Sequence, residues 1–490
     1  MTSDDLPDGR PRGASRPLRW LAWLPLLPML TACATLTPQG DRPPTAAPAA
    51  AADADAPSAD TLRLRAQAPW WTRFDDPLLG ALVTDALQAN LDLGIARTRL
   101  LQARALRDQT AASRAPQLGS SASLSRNRSS DRTASSYSLG LDASWEADLF
   151  GELASAERGA RADLATASAN LAAARLAVAG EVGLVYVQLR ANRARRALTQ
   201  SSLAAQDETL QLTGWRTQAG LASSLEVEQA RASAEQTRAQ IPAYDTAIAQ
   251  GEHALAILLG QEPAALRTRL GDSTRVPVPA AATDVDDLVR HGLPADLLRQ
   301  RPDVQAAESA ITAELARLDQ TQAARRPAFR LSGALGWQAL TLAALGSPGA
   351  LAASLAAAVD WPILDGGRGA AQVQAQQAVL ARARLSYQAT ALAAAQDVAD
   401  AVSALDGSRR QTTALDAATD AARNANRMAR QRYEAGLVDF TTLLDTQRTL
   451  LSIDSSRAAA AADTSLNLIR LHKALGGDWT AQDPAGHTAP

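Results

Sequence analysis

The residues of this 490-residue chain that could perform catalysis do not have the spacing of a known catalytic motif. The run GGRG at 366–369 lacks the lysine and the spacing of a phosphate-binding loop. No Ser/His/Asp set can be argued from chain order alone. The four histidines are isolated and lack metal-ligand spacing: His253, His291, His472 and His487. We therefore expect no catalytic residue, no metal site and no cofactor.

The residue best placed for covalent chemistry is Cys33, the only cysteine of the chain. It follows a basic segment and the apolar run WLAWLPLLPML, which is too short for a membrane-spanning helix and is typical of a secretion signal. The residues LTAC, which end at Cys33, resemble the cleavage motif of bacterial lipoproteins. We predict that residues 1–32 are a signal peptide and that a covalent lipid on Cys33 anchors the chain. Ala34, rather than an aspartate, favours the outer membrane of a Gram-negative bacterium.

Composition describes the two ends of the mature chain and excludes one class of partner. Residues 33–69 are rich in Ala, Pro and Asp and predict a flexible acylated tether, and residues 481–490 predict a flexible tail. The net charge is −2, from 49 basic and 51 acidic residues, so there is no electrostatic case for nucleic acid. After the signal, no stretch has 18 uninterrupted apolar residues, so we expect no transmembrane helix there.

The mature chain contains an internal tandem repeat. RTQAGLASSLEVEQAR begins at Arg216, and RYEAGLVDFTTLLDTQR begins 216 residues later at Arg432. Trp145 and Trp361 share the same separation, and upstream motifs repeat at 211 residues. We predict a first repeat at 70–270 and a second at 271–480, each a complete structural unit.

Each repeat predicts one very long helix and two shorter ones. The long runs, 152–212 and 368–433, lack proline and consist mainly of good helix formers. The shorter runs are 91–113 and 222–259 in the first repeat, and 304–325 and 438–475 in the second. Because their combined length nearly equals that of the long helix, two short helices placed end to end could follow it throughout. Pro242 is expected to kink its helix.

Four segments between the helices alternate with period two, which predicts β-strands. The predicted strands are 116–127, 136–147, 328–338 and 350–361. Each places apolar side chains on one face and small or polar ones on the other, as in a membrane β-barrel. A soluble hairpin has the same period, but aromatic residues near the strand ends favour a membrane interface. These residues are Tyr137, Trp145, Trp337 and Trp361.

Four strands cannot close a barrel, because the smallest bacterial barrels have about 8 strands. An open edge in lipid leaves backbone groups unpaired at a cost of several kcal/mol each. Other chains must therefore complete the sheet, as a dimer with about 8 strands or a trimer with about 12.

Several motifs resemble the outer membrane factors, the TolC-like exit ducts, and especially their lipidated OprM/NodT-type branch. They are LTAC, WWTRFDDPLLGALV from Trp70, LLRQRPDVQAAE from Leu297, DWPILDGGR from Asp360, and RYEAGLVDFTTLLDTQR. The resemblance covers nearly all of the mature chain. It implies a mixed α and β membrane protein, a homotrimer with a 12-stranded outer-membrane β-barrel and a periplasmic α-barrel of long antiparallel helices. It also implies a periplasmic adaptor protein and an inner-membrane pump, of the resistance–nodulation–division (RND) or ABC type, as partners.

The same resemblance assigns roles to the two predicted hairpin tips, about 214–222 and 433–440. The repeated AGL triplets are expected at the turns, where they would dock on the adaptor: Ala219, Gly220, Leu221, Ala435, Gly436 and Leu437. An ordinary glycine turn has the same sequence, and both interpretations can hold together.

Just beyond the second tip, Thr441, Asp445 and Arg448 are spaced to share one helix face. The resemblance implies that an Asp and an Arg here close the periplasmic aperture, although the family has a bulky apolar residue where this chain has Thr441. An ordinary solvated ion pair is the alternative. We equate Glu228 and Arg231 with this pair in the first repeat.

The leading hypothesis is a passive exit duct for drugs or other toxic small molecules, driven by a partner pump. An exit duct for secreted protein is the alternative within transport. A structural lipoprotein stalk of long helices is a third hypothesis, which the alternating strands oppose.

Overall fold

The computed structural model describes residues 69–129, 133–279 and 298–477, all within one structural unit. The predicted signal peptide, Cys33, the tether before Pro69, and the C-terminal tail lie outside the described residues, as do His291 and His487.

The described residues form nine α-helices. They are α1 (Pro77–Ala89), α2 (Leu91–Ala112), α3 (Glu152–Gln218), α4 (Ser224–Arg238), α5 (Ile241–Leu258), α6 (Pro263–Leu270), α7 (Pro302–Ala323), α8 (Arg368–Glu434) and α9 (Phe440–Ala474). The helices α3 and α8 each contain 67 residues, which corresponds to a length of roughly 100 Å. Both begin after a glycine in the left-handed conformation, and neither contains proline.

One four-stranded sheet connects the two repeats. The strands β1 (Gln117–Arg128), β2 (Thr133–Ala147), β3 (Ala328–Ala339) and β4 (Leu351–Asp360) follow the order β1-β2-β3-β4, all antiparallel. The mixed α and β architecture expected from the sequence is confirmed. Within the described residues, β1 and β4 each have only one neighbouring strand, so the outer edge of each is unpaired there.

The register of the sheet places the apolar side chains of the strands on one common face. Leu139 lies opposite Trp337, and Trp145 lies opposite Leu331. Directly opposed residues of antiparallel strands share a face, so these side chains form a continuous apolar surface. The other face is small and polar, and there Ser121 donates a 2.8 Å hydrogen bond to Asp142.

The four predicted interface aromatics lie near the two ends of this sheet. Tyr137 is paired with Ala339, close to Trp337, at one end. Trp145 lies eight residues along β2, roughly 26 Å away, and Trp361 follows the end of β4 on the same side. This separation is similar to the height of about 25 Å of the apolar band of outer-membrane barrels.

The short helices stack end to end through a junction that both repeats share. In the first repeat, Asn90 donates a 2.9 Å hydrogen bond from Nδ2 to the carbonyl of Leu258. In the second, Arg301 donates a 2.8 Å hydrogen bond to the carbonyl of Ala474. A Cβ atom on Gly260 would lie 2.7 Å from the carbonyl oxygen of Ala89, so only glycine allows this approach. The helices α2 and α5 therefore follow α3, while α7 and α9 follow α8.

One predicted helix is divided in two. The expected helix 222–259 is interrupted at Ala239 and Gln240, between α4 and α5. Pro242 is the second residue of α5, where a missing N–H costs no intrahelical hydrogen bond, so it begins a helix instead of kinking one. The corresponding part of the second repeat has no proline and forms the single helix α9.

Adjacent helices form a layer, and among the described elements neither edge of this layer has a further neighbouring helix. Towards the sheet, α2 contacts α3, α3 contacts α7, and α7 contacts α8. Towards the hairpin tips, α4 and α5 contact α3, α3 contacts α9, and α9 contacts α8. In both halves α8 is one edge of the layer, and helices of the first repeat are the other.

The main core lies midway along the long helices. It contains Trp70, Phe74, Val182, Leu255 and Leu466, drawn from distant parts of the chain. Among the described residues, α3 is also the one helix apolar and long enough to cross a membrane by composition, although half of that apolar window is buried inside the chain. A helix that packs in the core of a protein passes the same test of length and composition.

A buried polar group in this core ties the connection between the repeats to α3. Tyr186 donates a 2.9 Å hydrogen bond to Asp76, and Arg190 donates one of 2.8 Å to the Tyr186 hydroxyl. Arg190 also donates a 2.6 Å bond to the carbonyl of Ser273. Burial raises the pKa of Tyr186 to about 12, and Asp76 adds to this shift against the opposing effect of Arg190.

Candidate functional site at the two hairpin tips

Both predicted tips are tight turns of the same type. The backbone N–H of Leu221 donates a 2.7 Å hydrogen bond to the carbonyl of Arg216, and Leu437 donates one of 2.8 Å to that of Arg432. These six-residue bonds define a Schellman motif, which places its glycine in the left-handed conformation. Gly220 has φ 72° and Gly436 has φ 73°, so the AGL triplets are helix C-caps in both repeats.

All six predicted tip residues are exposed. The leucines are the most prominent, with 70% of Leu221 and 74% of Leu437 accessible to solvent. Trp215, one turn earlier, is also exposed. Paired exposed leucines at the ends of two parallel hairpins form a small apolar surface that a partner helix can contact.

The helix that follows each tip is capped by a side chain. Ser223 and Glu226 form a reciprocal capping box at the start of α4. At the start of α9, Asp439 accepts a 3.1 Å hydrogen bond from the backbone N–H of Thr442 and a 2.9 Å bond from the Thr441 hydroxyl. Hydrogen bonds from Thr442 and Thr441 lower the pKa of Asp439, which stays ionised as a cap. Thr441 therefore supports this cap.

The two hairpins are joined to each other by an aromatic cluster that sequence analysis missed. Tyr433 is 2% exposed, and its ring lies 5.8 Å from that of Phe440. Arg216, from the first hairpin, donates a 2.6 Å hydrogen bond to the carbonyl of Tyr433 and lies 4.6 Å over its ring. Further from the tips, Gln447 on α9 donates a 3.0 Å hydrogen bond to Thr209 on α3. The repeated arginines 216 and 432 were the available sequence signal.

The helix α9 has an inward and an outward face at the predicted aperture. Leu443, Leu444 and Gln447 are buried against the first hairpin. Asp445 and Arg448 point outward, and within the described chain they make no ion pair with each other. The alternative interpretation, a solvated ion pair between these two residues, is therefore wrong within the described residues, and the aperture role stays a prediction.

The proposed equivalence of Glu228 and Arg231 with this pair is also wrong. The caps Ser223 and Asp439 lie 216 residues apart, so Glu228 lies one position before the register of Asp445. One residue rotates a side chain by about 100° around a helix, so the two pairs face different directions. Unlike the pair on α9, Arg231 and Glu228 form an ion pair of 3.1 Å.

No group of three or more possible metal ligands occurs in the described ranges 69–129, 133–279 and 298–477. Asp445 and Arg448 are exposed charged residues, and Leu221 and Leu437 are exposed apolar ones.

Comparison with known proteins identifies related chains over nearly the whole length. The profile described as outer membrane efflux protein matches residues 82–261 and 293–477. The pyoverdine export outer membrane protein OpmQ of Pseudomonas putida is 31% identical over 480 residues, which cover 95% of this chain and 99% of OpmQ. The probable outer membrane lipoprotein SilC of Salmonella typhimurium is 25% identical and covers 92% of this chain and 97% of SilC. The solved outer-membrane channel OprN superimposes with a TM-score of 0.78 at 33% identity, over 83% of this chain and 92% of that one.

Proposed function

This chain belongs to the outer membrane efflux protein family, and from that premise we propose that three copies form the passive exit duct of a tripartite efflux system. The observation that supports this proposal most directly is that the sheet and the helix layer of a single chain are incomplete. In the part of the chain that the structure describes, the sheet has two edges without a neighbouring strand and the helix layer has two edges without a neighbouring helix. In lipid the sheet edges must be paired, so neighbouring chains supply the missing strands.

The two edges of the chain differ, which determines how copies join. β1 and the helices of the first repeat lie at one edge, while β4 and α8 lie at the other. Joining unlike edges gives a head-to-tail interface, which generates a ring when the rotation between neighbouring copies closes. Three copies give a barrel of about 12 strands and a continuous ring of helices below it.

The 67-residue helices are roughly 100 Å long, several times the thickness of a bilayer core. They extend from the barrel into the periplasm as a tunnel. The exposed tips at Leu221 and Leu437 lie at its far end, where they dock on a periplasmic adaptor that connects the duct to an RND-type or ABC pump.

The N-terminus is held at the same membrane by lipid. The motif LTAC and the relative SilC, named a probable outer membrane lipoprotein, support acylation of Cys33. Palmitate should label the wild-type protein and leave Cys33→Ser unlabelled, and label in the variant would contradict this assignment.

Purified protein in planar bilayers tests the duct directly. We expect trimers that conduct ions, and cells lacking the chain should accumulate small toxic compounds that complemented cells expel. A deletion that leaves accumulation unchanged and instead retains a secreted protein would identify a protein-secretion duct. Protein that neither inserts into bilayers nor conducts ions would support the third hypothesis, a structural lipoprotein stalk.

A further inference from the structure

Three exposed arginines lie where the sheet meets the helices. Arg325 and Arg326 follow the end of α7, and Arg368 is the first residue of α8. None of the three forms an ion pair within the described chain, whereas Arg330, also near the junction, lies 3.5 Å from Glu146. We call Arg325, Arg326 and Arg368 the junction arginines.

Aromatic packing places these residues at the margin of the apolar face of the sheet. The Arg326 guanidinium lies 5.3 Å over the ring of Phe150. Phe150 in turn lies 6.5 Å from Phe329, which faces the same side as Val359 on β4. Arg326 therefore stands just beyond the apolar surface that faces lipid.

The arginines at the end of α7 approach the one at the start of α8. A Cβ atom on Gly369 would lie 3.3 Å from Cγ of Arg325, so Arg325 packs against the residue that follows Arg368. Two chain segments, distant in sequence, thus concentrate positive charge on one margin.

Two of the acidic residues nearby, Asp365 and Asp148, accept hydrogen bonds from the backbone. Asp365 accepts hydrogen bonds of 2.9 Å from Gly367 N–H and 2.7 Å from Gly369 N–H. Asp148 accepts one of 2.7 Å from Ala154 N–H. Both carboxylates cap the long helices, and within the described residues neither forms an ion pair with a junction arginine. The charge of Arg368 helps the backbone hydrogen bonds to lower the pKa of Asp365, so this carboxylate offsets part of the positive charge.

Exposed apolar side chains flank the charges. Ile363 is 82% exposed and Leu364 is 94% exposed in the connection from β4 to α8, and Leu149 is 65% exposed in the connection from β2 to α3. Apolar side chains beside arginines, one step outside a membrane-spanning sheet, match the interface between acyl chains and headgroups.

We propose that the junction arginines bind the phosphate of an anionic phospholipid in the periplasmic leaflet, with Phe150 and the flanking aliphatic residues against its acyl chains. Guanidinium groups bind phosphate oxygens with two parallel hydrogen bonds, and three arginines beside the single carboxylate of Asp365 leave a net positive charge that is complementary to an anionic headgroup. This site rests on the proposed function, because it requires that the sheet crosses the outer membrane.

Native mass spectrometry of the intact complex in neutral detergent tests this site. Phosphatidylglycerol and phosphatidylcholine with identical acyl chains are added in equal amounts. Each basic residue near an anionic surface contributes roughly a fivefold gain in affinity. We expect wild type to prefer phosphatidylglycerol at least about tenfold, and the triple variant Arg325→Gln/Arg326→Gln/Arg368→Gln to lose that preference. The corresponding triple Lys variant should keep most of it, because the charge remains.

The control replaces Arg99, Arg104 and Arg382, which are exposed on α2 and α8 away from the sheet, with glutamine. Its lipid preference should match that of wild type. Equal preference in wild type and the junction variant would overturn the site, as would equal loss in the control. If the junction variant dissociates in detergent before lipid is added, these arginines bind a neighbouring subunit instead. A wild-type complex that is not trimeric would count against the proposed assembly, while its lipid preference stays measurable.

Discussion

At the scale of single residues, Asp445 and Arg448 are the groups on α9 that a closed aperture would use. Both are exposed and neither forms an ion pair within the described residues, so threefold symmetry would allow pairs between subunits. Exposed pairs contribute about 0.2–1 kcal/mol each, and three of them would shift an open–closed equilibrium by roughly 3- to 150-fold. We expect Asp445→Ala/Arg448→Ala trimers in planar bilayers to conduct more than wild type by a factor in this range.

The matched control for this prediction is Glu228→Ala/Arg231→Ala. Those two residues are also exposed and close to a tip, but they form an ion pair of 3.1 Å with each other and face a different direction. Its removal should leave conductance unchanged. Intact Asp445/Arg448 variant trimers with wild-type conductance would show that the gate uses other residues.

Tyr186 predicts how the core responds to alkali. Its pKa is about 12 in the folded chain and about 10 when unfolded, so folding is disfavoured once the unfolded phenol begins to ionise. The part of the folding free energy that depends on a neutral Tyr186 is fully present below about pH 10. It is lost as the pH rises towards 12, and the loss is on the order of 2–3 kcal/mol. Thermal unfolding followed by circular dichroism should show a steeper loss between pH 9 and about 11.5 in wild type than in Tyr186→Phe. Tyr387→Phe, at a partly exposed site on α8, should keep the wild-type slope.

At the scale of elements, the turns depend on glycine in a way that the helix interiors do not. Gly436 has φ 73°, and a side chain there costs about 1–2 kcal/mol. Gly407 lies inside α8 with nothing within 4 Å of an added Cβ, so alanine there should stabilise the helix by up to about 1 kcal/mol. Gly436→Ala should therefore lower the thermal midpoint and speed hydrogen exchange at Leu437. Gly407→Ala should instead raise the thermal midpoint. Equal effects of the two substitutions would contradict the Schellman assignment.

Much of this architecture was accessible from local sequence patterns. Composition without proline indicated α3 and α8, and strict alternation indicated β2 and β3, because both are properties of consecutive residues. The AGL triplets identified the turns for the same reason. The interruption before Pro242 was missed, since a proline pattern does not distinguish a kink from a new start.

The remaining features depend on contacts between distant residues. Arg216 meets Tyr433 across two hairpins, and Arg190 meets the carbonyl of Ser273, so neither pairing leaves a local pattern. The register of Glu228 against Asp445 could have been read from the caps Ser223 and Asp439, because S-x-x-E is a recognised capping signature. The matched junctions at Asn90 and Arg301 use different side chains for one purpose, which hides their equivalence in the sequence.

At the scale of the whole molecule, subunit number decides whether the proposed barrel has about 8 or about 12 strands. Both numbers would pair the free edges of β1 and β4, so sheet closure alone does not choose between them. The helices favour the larger ring, because a tunnel wall needs enough of them to enclose an open lumen. Co-expression of tagged and untagged chains, followed by native gel electrophoresis in mild detergent, counts the subunits. A trimer gives four species that differ in tag number, and a dimer gives three. We expect four species that collapse to single chains on heating, and three species would exclude the 12-stranded barrel.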